Sequence, residues 1–298
     1  MPSIVDPPLL NIYEEFILLH NTPAALSEAY EKHRRFRNSE RKAYLQGTGK
    51  IVVDPILRGL VVDHQPRDFD PRNCITMWSR PTKQVIDVIQ HVQEMLREVE
   101  PDLWLMPPQN LHLTALEILH SVPDTQLDFL QQTLQQLRPH LDSLLAPRPA
   151  PVLVKPILSY DQHALALSFL PEDQPIGDSG DWYSYHHYRS DIFKIVQQRA
   201  GVEVGSRYQV PSAHVTIARF IKPLEADMED FIAKLEEASK WLETVGSKSV
   251  RWCVNDERGT ELRYGKIWYG TGPCERIGLS MQQAAVANDF NLEWRERI

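Results

Sequence analysis

Two short stretches of this chain carry an imidazole and a hydroxyl at the same spacing. His112-Leu-Thr114 and His214-Val-Thr216 each place a histidine and a threonine two residues apart, and the histidines are 102 residues apart (112 to 214). In an extended strand, side chains two apart share a face. His112 and Thr114 then look one way while Leu111, Leu113 and Ala115 look the other. Likewise His214, Thr216 and Ala218 oppose Val215 and Ile217. Imidazole titrates near neutrality, so a pair of them suits a reaction that takes one proton and gives another. The hydroxyls suit donation to an oxygen that gains negative charge.

Eleven histidines and eleven threonines in 298 residues give about 0.4 His-x-Thr pairs by chance, so one pair carries little meaning without context. Both pairs here follow a proline by a few residues and open an apolar, β-branched run. The plain alternative is two half-buried strands whose polar side chains are satisfied by neighbours.

The stretches Pro108-Gln-Asn-Leu-His-Leu-Thr114 and His214-Val-Thr-Ile-Ala-Arg-Phe220 resemble the two-histidine (2H) phosphoesterase superfamily, of the RNA ligase and cyclic phosphodiesterase kind. The resemblance spans residues 72–298. It implies a metal-independent phosphoesterase that opens a 2′,3′-cyclic phosphate or a related nucleotide or RNA-end phosphodiester. His112 and His214 would be acid and base, and Thr114 and Thr216 would donate to non-bridging oxygens. For hydrolysis, His214 is assigned the base and His112 the acid. No cofactor or metal is expected. The alternatives are a nucleotide-binding module without turnover and non-phosphate acid–base chemistry at the same histidines.

Further candidates flank the motifs. Trp78 ends a strand-like run and has two readings, a platform for a base and a core side chain. Tyr208 and Arg219 flank the second motif as substrate-binding candidates. By strict alternation Arg219 points away from His214 unless the strand bulges. Tyr183-Ser-Tyr-His-His-Tyr-Arg189 is either a cleft rim or the amphipathic first turn of a helix. The basic run Lys32–Arg37 is read as a solvated helix face rather than a phosphate-facing lid.

The elements that must hold these residues predict an α+β fold. A mainly helical extension over 1–71 has helices at Leu9–His20 and Ala24–Leu45. A two-lobed domain over 72–298 follows, with mixed or antiparallel sheets facing a central cleft and helices outside. Strands are predicted at 74–79, 103–106, 111–118, 152–159, 164–170, 208–220, 250–255, 261–263 and 266–269. Helices are predicted from Pro81 to Val99, over 124–145, 182–200 and 226–245, and through 281–288. Residues 171–181 are predicted to be a polar loop.

The formal net charge is −8, whereas a surface built for long duplex nucleic acid is usually basic. A small or terminal phosphate substrate is expected instead. Three cysteines with no Cys-x-x-Cys suggest neither a disulfide framework nor a zinc site. A cytoplasmic protein is expected, with the nucleus the other reducing compartment. No apolar run has the length of a membrane span. The oligomeric state is left open.

Overall fold

The computed structural model describes residues 10–144, 150–178, 180–199, 201–205, 210–246, 250–269 and 272–277. Two helices come first, α1 (Ile12–Leu19) and α2 (Pro23–Thr48). The Asn11 side chain caps α1 by accepting from the Tyr13 and Glu14 amides. Thr22 does the same for α2 through the Ala25 amide, with Pro23 in the first turn. α3 (Pro55–Val61) leads to β1 (Cys74–Ser79), α4 (Lys83–Arg97), β2 (Trp104–Leu105) and β3 (Leu113–Leu119). Next come α5 (Asp124–Gln136), α6 (Arg138–Leu144), β4 (Val152–Tyr160) and β5 (Ala164–Glu172). After β6 (Gln174–Ile176), β7 (Asp181–Tyr183) and α7 (Tyr185–Lys194) comes β8 (His214–Arg219), then α8 (Met228–Trp241), β9 (Arg251–Cys253), β10 (Thr260–Gly265) and β11 (Cys274–Ile277).

The fold is α+β. Eight strands run β11-β10-β1-β3-β8-β5-β4-β9, and β2 pairs with β8, making a nine-stranded sheet. Among the described residues every pairing is antiparallel, so the sheet is not mixed. The two motif strands, β3 and β8, are neighbours at its centre. They meet at one bridged pair, Leu113 opposite Val215.

Several boundaries differ from the sequence reading, each for a local reason. Pro81 precedes the cap of α4, so the helix begins at Lys83. The helix expected over 124–145 breaks at Leu137, because Pro139 in the next turn lacks an N–H to continue it. Within 171–181, β6 and β7 form a small hairpin rather than a loop, and β7 takes Trp182 out of the following helix. Ser184 caps α7 through the His186 amide. Lys266–Tyr269 is a turn, not a strand, and the chain returns as β11. Gly265 and Gly272 allow that excursion with φ of 84° and 86°; a Cβ on Gly272 would fall 2.2 Å from the Tyr264 carbonyl oxygen. The helix expected through 281–288 lies outside the described residues.

The first helices share the main core. Tyr13, Leu26, Tyr30 and Leu45 are buried in one cluster with Leu113, Val215 and Ile217 of the motif strands. The aromatic segment 183–189 joins them to β3 and is not a cleft rim. Tyr185, His186, Tyr188 and Arg189 are all buried. Arg189 donates from Nε to the Ala115 carbonyl (2.9 Å) and from Nη2 to the Tyr13 hydroxyl (3.0 Å). His186 lies within hydrogen-bond distance of the Tyr13 carbonyl (Nε2, 3.0 Å) and the Tyr30 hydroxyl (Nδ1, 2.9 Å). The carbonyl can only accept, so Nε2 carries the proton and Nδ1 accepts from the hydroxyl.

Candidate active site

The bridge between Leu113 and Val215 sets the two motifs side by side in opposite directions. Antiparallel register about it puts His112 across from Thr216, and Thr114 across from His214. Leu113 and Val215 are fully buried, while the four polar residues beside them are on a half-buried face. The sheet centre therefore carries two imidazoles and two hydroxyls in a pseudo-twofold arrangement.

Each motif is continued by a bulge. Opposite β5, Leu165 pairs with Ala218 and Ala166 with Thr216, leaving Ile217 extra. The alternation inverts there. Ala218 turns into the core, contrary to the face read from sequence, and Arg219 joins His214 and Thr216 on the cleft wall. Opposite β1, Met77 pairs with Leu116 and Trp78 with Thr114, leaving Ala115 extra. Glu117 consequently joins His112 and Thr114. The position three beyond each threonine thus reaches the site, as an acid in one motif and a base in the other.

His112 is tightly held. Its ring stacks on Trp78 with centroids 3.6 Å apart and planes 13° from parallel. The Arg80 and Arg263 guanidinium carbons each lie 5.1 Å from the Trp78 ring. Trp78 is only 3% exposed, so it supports the imidazole and offers no open platform to a base. Arg80 pairs with Glu261 and donates to the Gln109 and Leu111 carbonyls (3.2 and 3.0 Å), fixing the turn before His112. Nδ1 of His112 lies 2.6 Å from the Asn110 carbonyl. A carbonyl only accepts, so Nδ1 bears the proton and Nε2 of the neutral ring is left with its lone pair.

His214 is held differently. Its Nδ1 lies 2.8 Å from the Ser212 hydroxyl, which can give or take that hydrogen bond. The Val210–Pro211 peptide just before it is cis. Burial, then the nearby Arg80, push His112 down to about 3. Burial, then Arg37 and Arg189, push His214 down to about 4. Both imidazoles are neutral at pH 7 in the unliganded protein.

A cavity of about 420 Å³ opens in front of His214, Thr216 and Arg219. A smaller recess of about 20 Å³ lies before His112, Thr114 and Glu117. Trp268, from the 266–269 turn, lines both. Its indole Nε1 donates to the buried Cys74 sulfur (3.3 Å), and Arg72 covers its ring at 4.6 Å.

The far wall of the larger cavity comes from α2. His33, Arg37 and Arg41 recur every four residues and face it together. The basic run is therefore not simply a solvated face: His33 and Arg37 belong to the cleft, while Phe36 (65% exposed) is on the solvated side. Arg37 Nη2 reaches Asp161 (2.6 Å), which also closes the β4–β5 turn through the His163 and Ala164 amides. Tyr208 lies outside the described residues.

Trp268, Glu117 and the α2 stripe were missed from the sequence. The stripe alone had a signal there, the four-residue spacing of 33, 37 and 41. Among the described residues no group of three or more His, Cys, Asp or Glu is disposed to hold a metal ion. No described helix is long and apolar enough to cross a membrane.

No protein-family model matches the sequence, and comparison with curated proteins gives no match. Among solved structures, that of Kluyveromyces marxianus Usb1 superposes with a TM-score of 0.37 and 11% identity, covering 70% of this chain and 99% of that one. The likeness is too slight to bear on the chemistry.

Proposed function

We propose that this chain is a phosphoesterase of the two-histidine kind, opening a 2′,3′-cyclic phosphate or related nucleotide phosphodiester without a metal. The observation that carries the reading is the single β3–β8 bridge, which sets two His-x-Thr motifs antiparallel on one sheet face. In this reading the halves of the sheet on either side of that junction act as lobes about the cleft.

Hydrolysis by in-line displacement needs a base on one side of phosphorus and an acid on the other. The Asn110 contact favours His112 as base for hydrolysis, the reverse of the assignment made from sequence. Its Nε2 takes a proton from water as the water oxygen bonds to phosphorus. His214 gives its proton to the departing ribose oxygen as the P–O bond breaks. Thr114 and Thr216 donate to the non-bridging oxygens, where charge builds. Arg219 adds a fixed positive charge on the same wall.

The experiment is turnover of 2′,3′-cyclic AMP, GMP, CMP and UMP, with and without EDTA, by wild type, His112→Ala and His214→Ala. EDTA-resistant hydrolysis that falls by about 10²–10⁴ in each variant is expected. Nucleotide binding with no product from folded wild type would refute catalysis and leave a binding module.

A further inference from the structure

We infer that the α2 stripe forms a second anion subsite in the cleft, which takes a non-reacting phosphate of the substrate. The inference rests on the phosphoesterase reading and narrows it. The preferred substrate carries another phosphate besides the reacting one, at the 5′ position of the terminal nucleotide.

The cavity supports this by its size and its charge. Its volume of about 420 Å³ lies in the range that holds a small organic ligand and far exceeds one phosphate. Arg37, Arg41 and Arg219 line it together with His33 and His163. The one carboxylate in its lining is Asp161, already engaged by Arg37; Asp54, just behind the wall, lies 3.5 Å from Nη1 of Arg219, which leaves Arg41 as the cation of the stripe without a carboxylate in the cavity lining. This concentration of positive charge occurs in a chain whose formal net charge is −8.

Two of these cations have unmet hydrogen-bonding capacity. Nε of Arg41 and Nε of Arg219 are buried and find no hydrogen-bond partner among the described residues. A buried, unsatisfied guanidinium donor is costly unless an acceptor arrives. The planar fork of arginine matches a phosphate in both geometry and charge. The reacting phosphate belongs between His112 and His214, at the sheet centre. Arg37 and Arg41 sit across the cavity on a different element, about 6 Å apart along the helix. They suit a phosphate beyond the reacting one.

The second phosphate has two sources, a 5′-monoester on the same nucleotide or the diester to a preceding nucleotide. The test compares kcat/KM for adenosine 2′,3′-cyclic phosphate, its 5′-phosphorylated form, and the dinucleotide ApA ending in a 2′,3′-cyclic phosphate. Wild type, Arg41→Gln and Arg35→Gln are measured. Arg35 serves as a charge control, since it is 60% exposed and paired with Glu31 and Glu243 away from the cavity.

Wild type is expected to prefer a substrate with the second phosphate at least tenfold, mainly through KM. Arg41→Gln should reduce that preference to threefold or less, and Arg35→Gln should keep it. A gain with the dinucleotide alone would identify the diester as the source; a gain with both would identify the phosphate itself. Equal kcat/KM for all three substrates in wild type, or a preference untouched by Arg41→Gln, would overturn the inference. If no cyclic phosphate turns over, calorimetry with adenosine 3′,5′-bisphosphate against 3′-AMP reads the subsite by itself. Tighter bisphosphate binding by tenfold, lost in Arg41→Gln, would keep the subsite while the phosphoesterase reading failed. No difference in binding would end both.

Discussion

The depressed histidines give the proposed mechanism a steep pH signature. kcat/KM reports the free enzyme, and the acid, His214, must be protonated for the leaving oxygen to depart. With that imidazole pushed down to about 4, its protonated fraction falls nearly tenfold between pH 5 and pH 6. An unshifted histidine, near 6.5, would lose only about 1.3-fold over the same interval. kcat reports the substrate complex and should behave otherwise. A phosphate anion about 4 Å from the imidazolium contributes about 4 kcal/mol at an effective dielectric of 20, which is about three pH units. That returns the bound histidine to near neutrality and leaves kcat nearly flat from pH 5 to 6. The assay is initial-rate hydrolysis of a 2′,3′-cyclic nucleotide at pH 5, 6, 7 and 8 and constant ionic strength, with near-UV circular dichroism confirming the fold. A change in kcat/KM below twofold between pH 5 and 6 would refute the reasoning, because it would mean that His214 is solvated or is not the acid.

Acid should also unfold the protein early. His112, His214 and His186 are pushed down to about 3, 4 and 2, chiefly by burial, so the unfolded chain binds more protons as pH drops below about 6.5. Above pH 6.5 these burials add no proton-linked cost; below it stability falls by up to about 1.4 kcal/mol per pH unit for each, down to about pH 4 for His214, 3 for His112 and 2 for His186; urea midpoints against pH measure it, and His186→Gln should flatten the slope. Trp78→Leu should cost about 3 kcal/mol of stability and lower kcat by about ten- to a hundredfold, as His112 loses its stack; an unchanged kcat would show that the imidazole is held without it. Gly272→Ala should cost more than about 2 kcal/mol in chemical denaturation, since its φ of 86° and the Tyr264 carbonyl both oppose a side chain.

Much of the frame was legible in the sequence because it depends on local pattern. The strand at Cys74–Ser79 was read to the residue, and the cap at Thr22-Pro23 marked α2. Both motif strands declared themselves by alternation. What alternation cannot show is where a partner strand forces an extra residue. The bulges at Ala115 and Ile217 are set by register against β1 and β5, and they decide where Glu117 and Arg219 point. Helical spacing likewise put His33, Arg37 and Arg41 on one stripe but could not say whether water or the cavity lay beyond it. That depended on where α2 settled along the β4–β5 hairpin. Trp268 was misplaced because Lys266–Tyr269 has β-like composition, while the flanking glycines turn the chain out of the sheet.

The contacts that seat the first helices reach far along the chain. The hydroxyl of Tyr13 meets Arg189 across 176 residues of sequence. At about 5–20 residues per second, a ribosome that has made Tyr13 needs roughly 9–35 s to deliver Arg189. Until then the apolar faces of α1 and α2 have none of α7 to rest on. The cleft wall that α2 supplies is thus synthesised well before α7 and before β8, which forms the opposite wall. A nascent chain would carry the arginine stripe throughout that interval before the rest of the cleft exists to receive it.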